Sequence, residues 1–188
     1  MIVSDPSKFV RTGDLCHCTS LSFIGNMIRL REVNWQAWRM FDLSISTHTA
    51  IVYCEGHMRG VMEMMPDGKG KSALQFSPFY NYLNQGKGGD RIISITRHPW
   101  LDSVAVRGIY SAELVRLYNA GVQYDTDGCL KNAFNFLKDK KNEFYCCELA
   151  EYLAQYCAFS YWKARPDKND NCVPLDLQNS AYMQMVLK

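Results

Sequence analysis

The fold of this chain is decided by residues 47–65, THTAIVYCEGHMRGVMEMM. β-Branched and aromatic residues dominate the first part of this stretch, which predicts a strand over residues 47–54. Residues 59–65 are typical of a returning strand, and Gly56 with His57 lies between the two as a two-residue loop. The stretch therefore predicts an antiparallel β-hairpin.

The two-residue loop fixes the register of this hairpin. With Gly56 and His57 in the loop, Glu63 faces Ala50 across the ladder. His48 shares a face with Ala50, so Glu63 is its diagonal neighbour, whereas a slip of one residue would turn Glu63 to the other face. The register places a carboxylate beside an imidazole, as in the base-orienting half of a catalytic triad. The alternatives are a buried core histidine and a carboxylate on a solvent-facing strand.

Two neighbouring cysteines, Cys146 and Cys147, mark the start of a second decisive element. Residues 146–158 are good helix formers, and their apolar members recur at the spacing of one helix face: Leu149, Ala150, Leu153 and Cys157. A cysteine in the first turn feels unpaired N–H groups and the positive end of the helix dipole, which stabilise a thiolate. The motif offers a nucleophile; the alternative is that two small apolar side chains fill the core.

The composition is that of an ordinary globular protein. With 188 residues, 47% of them hydrophobic and 21% charged, the chain suits one domain over residues 1–188. A net charge of +2 and a pI near 8.1 argue against a nucleic-acid partner. No stretch approaches the roughly 20 apolar residues of a transmembrane helix, so any membrane contact would be peripheral. The sequence does not indicate which oligomeric state the protein adopts.

Eight cysteines would suit a disulfide framework in a small secreted protein. Residues 1–6, however, lack the basic flank and apolar core of a signal peptide. We therefore expect reduced thiols in a cytoplasmic protein, or in a phage-encoded protein that acts in the host cell.

The motif Cys16-His17-Cys18 suggests a metal site. In a strand, however, His17 points away from both cysteines, so the three side chains cannot converge on one ion. The sequence therefore predicts no metal and no cofactor.

Other periodic segments complete the predicted elements. Strands are expected at residues 73–76 and 91–97, after a short strand near Leu15. Helices are expected at residues 20–31 and at residues 127–137. Another helix is expected between Pro99 and about Ala120, with Gly121 as its terminating residue.

Taken in order, these motifs resemble the circularly permuted branch of the NlpC-type papain-like cysteine peptidases, the YiiX-like group. In that family the histidine strand precedes the cysteine helix. The resemblance extends from Gly13 to about Ser180. Its strongest pieces are residues 47–52, 121–125 and 145–149, with a weaker closing piece at residues 174–177.

The resemblance implies an α+β papain-like fold with circularly permuted topology, in which an antiparallel sheet or small barrel packs against helices that include the nucleophile helix. It implies that Cys146 is the nucleophile, His48 the general base and Glu63 the residue that orients the imidazole. Cys147 departs from the family, which tends to have a small residue such as serine there. The implied activity is a thiol hydrolase that cleaves a peptide or cell-wall-type amide bond through a thioester.

Three alternatives remain open. The same site could serve an esterase or acyltransferase acting on acyl lipids, or the fold could be a binding module without turnover. A metal or redox protein that uses several of the cysteines is the third. A cell-wall substrate would also require a delivering partner, such as a phage lysis system.

Overall fold

The computed structural model describes residues 9–20, 23–32, 42–65, 73–79, 91–125, 143–161, 174–180 and 183–187. The strands in these ranges are β1 (Leu15–Thr19), β2 (His48–Glu55), β3 (Met58–Met64), β4 (Leu74–Pro78), β5 (Arg91–Arg97), β6 (Gln123–Tyr124), β7 (Glu143–Phe144) and β8 (Gln184–Leu187). The helices are α1 (Phe23–Glu32), α2 (Val104–Ala120), α3 (Cys146–Tyr156) and α4 (Pro174–Gln178).

Six of these strands form one antiparallel sheet in the order β4-β3-β2-β1-β5-β8. β6 and β7 form a separate short parallel pair. The predicted α+β class is confirmed. The sequence predicts either an antiparallel sheet or a small barrel, and the described strands form an open sheet with β4 and β8 at its edges.

The β2–β3 hairpin has the predicted register. Glu55 pairs with Met58 and Ile51 pairs with Met62, as a two-residue loop requires. Gly56, the first loop residue, has a φ of +56°, which glycine adopts without steric cost. The loop chemistry therefore fixes which side chains of the two strands share a face.

The main hydrophobic core lies between the sheet and helices α2 and α3. α3 buries the predicted face, with Leu149, Ala150 and Leu153 at most 1% exposed. These side chains belong to the same cluster as Ile51 and Met62 of the sheet. Because each large apolar side chain contributes about 1.5–3 kcal/mol when buried, this face anchors α3 on the sheet.

A second cluster includes residues on the other face of the sheet. Its buried members are Val10, Cys16, Cys18, Ala50, Val52, Val61, Phe79 and Ile95. The Cys16 and Cys18 sulfurs lie 3.8 Å apart. His17, between them, instead contacts Thr96 Oγ1 through Nε2 at 2.8 Å. The predicted alternation along β1 is confirmed, and complete burial lowers the pKa of His17 to about 3.

An ion pair with a fully buried carboxylate holds the turn before β1 against the end of β5. Arg97 Nε and Nη2 donate to the two carboxylate oxygens of Asp14, each at 2.7 Å. The Arg11 backbone N–H also donates to Asp14, at 2.8 Å. Burial raises the pKa of Asp14, although the hydrogen bonds from Arg97 and Arg11 act to lower it. The hydrogen bonds from Arg97 and Arg11 thus stabilise the charged form of the carboxylate that holds this turn.

Several other predicted bounds agree closely with the structure. β5 spans Arg91–Arg97 as predicted, and α1 ends one residue after its predicted limit. α2 ends at Ala120, and Gly121 follows with a φ of +72°. The helix predicted for residues 127–137 lies outside the described residues.

The sequence patterns do not predict β8 or α4 as elements. β8 pairs with β5, with Met185 opposite Thr96, and α4 packs on β2 and α3. Among the described residues, no helix combines the length and the hydrophobicity that a membrane span requires.

Candidate active site

The chain entering β2 is fixed before it reaches His48. Ser46 Oγ donates to the backbone carbonyls of His48 at 3.0 Å and Cys18 at 3.3 Å. The Thr47 N–H donates to the Cys18 carbonyl at 2.9 Å. His48 therefore begins β2 on a backbone that β1 holds in place.

α4 adds a second support to this segment. The Ser46 N–H donates to Gln178 Oε1 at 3.0 Å, and Gln178 Nε2 donates to the Ser44 carbonyl at 3.1 Å. Leu177 is fully buried. The weaker closing piece of the resemblance, residues 174–177, thus packs beside the segment that leads into His48.

His48 and Glu63 meet across the hairpin as predicted. His48 Nε2 lies 3.1 Å from Glu63 Oε2. The side chain of Glu63 is 4% exposed and that of His48 is 14% exposed, so the imidazole is the more accessible of the two. Because Glu63 takes Nε2, Nδ1 is the ring nitrogen left for another partner.

The start of α3 is held by the short β6–β7 pair. Tyr124 pairs with Phe144 in this ladder, and the Asp125 N–H donates to the Phe144 carbonyl at 3.0 Å. The Tyr145 N–H then donates to Glu148 Oε2 at 3.2 Å, which is half of a capping box. The link at residues 121–125 therefore serves to position the first turn of the cysteine helix.

Cys146 is the first residue of α3, and this residue is 6% exposed. Three groups stabilise its thiolate: the thiol of Cys147, with its sulfur 3.7 Å away, the imidazole of His48, and the backbone N–H of Thr49. Together they hold the pKa of Cys146 well below its usual value, although burial opposes them. The first turn thus supplies a thiol that ionises readily.

The charge state of His48 matches that of Cys146. Burial acts to lower the pKa of His48, but hydrogen bonds with Cys146 and Glu63 outweigh it, and the pKa lies well above its usual value. The geometry therefore favours a thiolate beside an imidazolium whose far nitrogen is held by a carboxylate. Such a pair can attack a carbonyl carbon and then deliver a proton.

The structure brings together all three residues singled out from the sequence, Cys146, His48 and Glu63. It adds Thr49 and Gln178, which the sequence patterns do not identify. The signal for Thr49 is its place after His48, because a backbone N–H carries no side-chain signature. Gln178 follows the predicted closing motif directly.

Comparison with known proteins identifies a shared fold. The chain is similar to the crystal structure of the metalloprotein YiiX from Escherichia coli O157:H7, with a TM-score of 0.65 and 13% sequence identity. The match covers 96% of this chain and 98% of YiiX. The predicted structural relation to YiiX is confirmed at the level of the fold. The sequence matches no family model and no curated protein.

A metal site needs donor atoms that converge on one ion. Within the described ranges, no group of three or more His, Cys, Asp or Glu side chains is arranged to hold a metal ion. On β1, His17 contacts Thr96 while the sulfurs of Cys16 and Cys18 face each other. The Cys-His-Cys motif therefore does not form a three-ligand site.

Proposed function

We propose that this protein is a thiol hydrolase in which Cys146 is the nucleophile, His48 the general acid and base, and Glu63 the residue that orients His48. The supporting observation is the reciprocal electrostatics of the pair: contacts of Cys146 favour its thiolate, and contacts of His48 favour its protonated form. A thiolate is the reactive form of cysteine. An imidazolium beside it provides the proton that a leaving group needs.

In the acylation step, the Cys146 thiolate attacks the substrate carbonyl carbon and forms a tetrahedral intermediate. Backbone N–H groups at the start of α3 are the donors proposed for its oxyanion, because the first N–H groups of a helix point towards its N-terminal end, where the helix dipole is positive. His48 then donates a proton from Nδ1 to the leaving group. The carbon–leaving group bond breaks, and a thioester remains on Cys146.

In the deacylation step, neutral His48 accepts a proton from water, which attacks the thioester carbonyl. The carbon–sulfur bond breaks, the acid product leaves, and the Cys146 thiolate re-forms beside protonated His48. Glu63 contributes by holding Nε2, which keeps Nδ1 directed at the sulfur. Each proton taken up by His48 is thus returned within one turnover.

The substrate class we propose is an amide bond in a peptide or a cell-wall-type peptide. Amide cleavage needs protonation of a poor leaving group. Hydrogen bonds with Cys146 and Glu63 raise the pKa of His48, so its imidazolium is present to supply that proton. Acyl esters or acyl lipids would pass through the same thioester. A non-catalytic binding module, in contrast, would not require a reactive thiol.

Labelling with iodoacetamide at neutral pH tests the nucleophile independently of the substrate. We expect Cys146 to be alkylated at least about tenfold faster than Cys54, a half-buried thiol whose pKa burial raises. His48→Ala should remove most of this advantage. Cys54→Ala is the matched control and should leave Cys146 labelling unchanged.

A substrate screen then tests turnover, with peptide amides, acyl esters and acyl lipids offered to the wild type and to Cys146→Ala. Hydrolysis of amides that disappears in Cys146→Ala is the expected result. Hydrolysis of acyl esters or lipids alone would favour the lipid-directed alternative. Equal labelling of Cys146 and Cys54, with no turnover, would favour a binding module and overturn the proposal.

A further inference from the structure

The nucleophile has a second thiol in contact with it. The sulfurs of Cys146 and Cys147 lie 3.7 Å apart, and the two residues are 6% and 0% exposed. Neighbouring residues within a helix normally point to different sides. The contact arises because Cys146 is the first residue of α3, where the chain enters from an extended Tyr145 with φ −102° and ψ 177°.

We propose that Cys147 is a resolving thiol, which captures an oxidised Cys146 as a Cys146–Cys147 disulfide after attack by a hydroperoxide. The disulfide would switch the nucleophile off and protect it from irreversible oxidation. This inference rests on the proposed function, because it takes Cys146 as the reactive thiolate of the site.

The chemistry proceeds in two balanced steps. The Cys146 thiolate attacks one oxygen of the hydroperoxide; the O–O bond breaks, and the departing alkoxide or hydroxide takes up a proton. Cys146 becomes a sulfenic acid, oxidised by two electrons as the peroxide is reduced. Cys147 sulfur then attacks the sulfenic sulfur, the S–O bond breaks, and the oxygen leaves as water with the proton from Cys147.

The position of the two thiols suits a reversible bond. Consecutive Cα atoms are about 3.8 Å apart, which is below the roughly 4.4–6.8 Å usual for disulfides. The bond would therefore be strained and readily reduced, as labile and regulatory disulfides are. The first turn of a helix has few intrahelical bonds to lose, and here the Leu149 N–H donates to the Tyr145 carbonyl at 3.2 Å.

The chain offers an internal comparison for this pair. Cys16 and Cys18 have sulfurs 3.8 Å apart, which is almost the same separation. They are fully buried on β1 rather than placed at the start of a helix. If sulfur proximity alone were sufficient, both pairs would oxidise alike.

Peptide mapping of the full-length protein tests the switch without any substrate. Reduced protein is treated with hydrogen peroxide, remaining thiols are alkylated, and the tryptic peptide of residues 142–163 is weighed with and without dithiothreitol. In the wild type we expect an internal disulfide between Cys146 and Cys147, with Cys157 in the same peptide still alkylated. Dithiothreitol should restore alkylation of both bridged thiols.

The Cys147→Ser variant removes the resolving sulfur and keeps a small polar side chain. After the same treatment, we expect the recoverable Cys146 thiol to fall by about tenfold as sulfinic acid accumulates. Cys16→Ala is the control and should behave as the wild type.

Two results would overturn the switch. One is Cys146 oxidised to sulfinic acid in the wild type while Cys147 remains free to alkylate, and the other is equal recovery of Cys146 in the wild type and in Cys147→Ser. Either result could accompany fast iodoacetamide labelling of Cys146, in which case the hydrolase proposal survives and only the switch fails. Slow labelling of Cys146 would instead remove the proposed function itself.

Discussion

Glu63 Oε2 lies 3.1 Å from His48 Nε2, and the register of the β2–β3 hairpin holds the two residues there. A folded-state pKa raised above the usual value means that the imidazolium and its contacts persist below that pKa and are lost as pH rises through it. Glu63 contributes to this rise, after Cys146. The carboxylate therefore extends the pH range over which the proposed ion pair exists.

Glu63→Gln should lower the pH at which the proposed ion pair of Cys146 and His48 is lost. The amide keeps an oxygen near His48 but removes the charge, so the imidazolium is lost at a lower pH and the thiolate of Cys146 is less stabilised. At neutral pH we expect Cys146 alkylation to slow by roughly tenfold, equivalent to about 1.4 kcal/mol. The pH profile of alkylation measures both effects. Glu55→Gln, at an exposed end of the same hairpin, is the control, and identical profiles for the two variants would contradict the role given to Glu63.

His17 should make the protein sensitive to acid. Its pKa falls from 6.5 to about 3 because it is buried, so between these values the unfolded chain binds a proton that the folded chain does not. The free energy of unfolding should therefore decrease as pH falls through this window, by at most about 1.4 kcal/mol per pH unit.

Urea unfolding between pH 7 and pH 3, roughly the window that His17 spans, tests this sensitivity. His17→Gln retains an amide that can bond Thr96 but does not titrate, so its stability should vary less steeply with pH than that of the wild type. His57→Gln, in the exposed hairpin loop, is the matched control for the exchange of a histidine for glutamine outside the core. Parallel slopes for wild type and His17→Gln would show that other groups govern acid unfolding.

The two ion pairs near β1 should differ strongly in their effect on stability. The side chain of Asp14 is fully buried and that of Arg97 is 13% exposed, so Asp14→Asn removes the close carboxylate and leaves the guanidinium, among the described residues, only the exposed Asp102 at 4.0 Å, at a cost of about 3–5 kcal/mol. Arg11 and Asp102 are 50% and 54% exposed, so Arg11→Ala should cost no more than about 1 kcal/mol. Chemical denaturation of both variants measures the difference. Similar losses for the two would show that burial does not decide the strength of these pairs.

Two glycines of the hairpin should respond differently to alanine. A Cβ on Gly60 would clash with the Ser77 carbonyl oxygen, so Gly60→Ala must separate β3 from β4 and should cost several kcal/mol, on the order of an overpacked core. A Cβ on Gly56 meets nothing within 4 Å, and only its φ of +56° opposes alanine, at about 1–2 kcal/mol.

Thermal unfolding ranks these two variants, and Cys146 alkylation adds a second measurement. Because Gly60 and Glu63 lie on the same strand, displacement of β3 should also slow labelling in Gly60→Ala. Gly56→Ala should label like the wild type. A Gly60→Ala protein as stable as Gly56→Ala would mean that the strands are not packed as described.

The hairpin could be predicted from sequence because its information is local. Gly56 and His57 define a two-residue loop, and loop length then sets every pairing along β2 and β3. The contact between His48 and Glu63 follows from that register alone. Helix α3 can be predicted from sequence for the same reason, because its apolar spacing and its start at Cys146 lie within one segment.

The rest of the site depends on contacts between distant residues, which local patterns do not encode. Ser46 and Gln178 are 132 residues apart in sequence and bond directly. His17 and Thr96 are 79 residues apart. Strand β8 carries Met185 at 54% exposure, so it lacks the buried alternation that would mark it as a strand. Catalytic roles for Cys146, His48 and Glu63 stay predictions until the labelling and turnover experiments are done.

The order of the strands also bears on how the proposed site is assembled during folding. β2, β3 and β4 pair with neighbours along the chain, whereas Cys146 meets His48 only when α3 docks on the sheet. Contacts close in sequence form faster than distant ones, because less chain entropy is lost in closing them. We therefore expect the base and its carboxylate to come together before the thiol arrives. A nascent or partly folded chain would carry Cys146 as an ordinary thiol, so its reactivity would report the completion of folding.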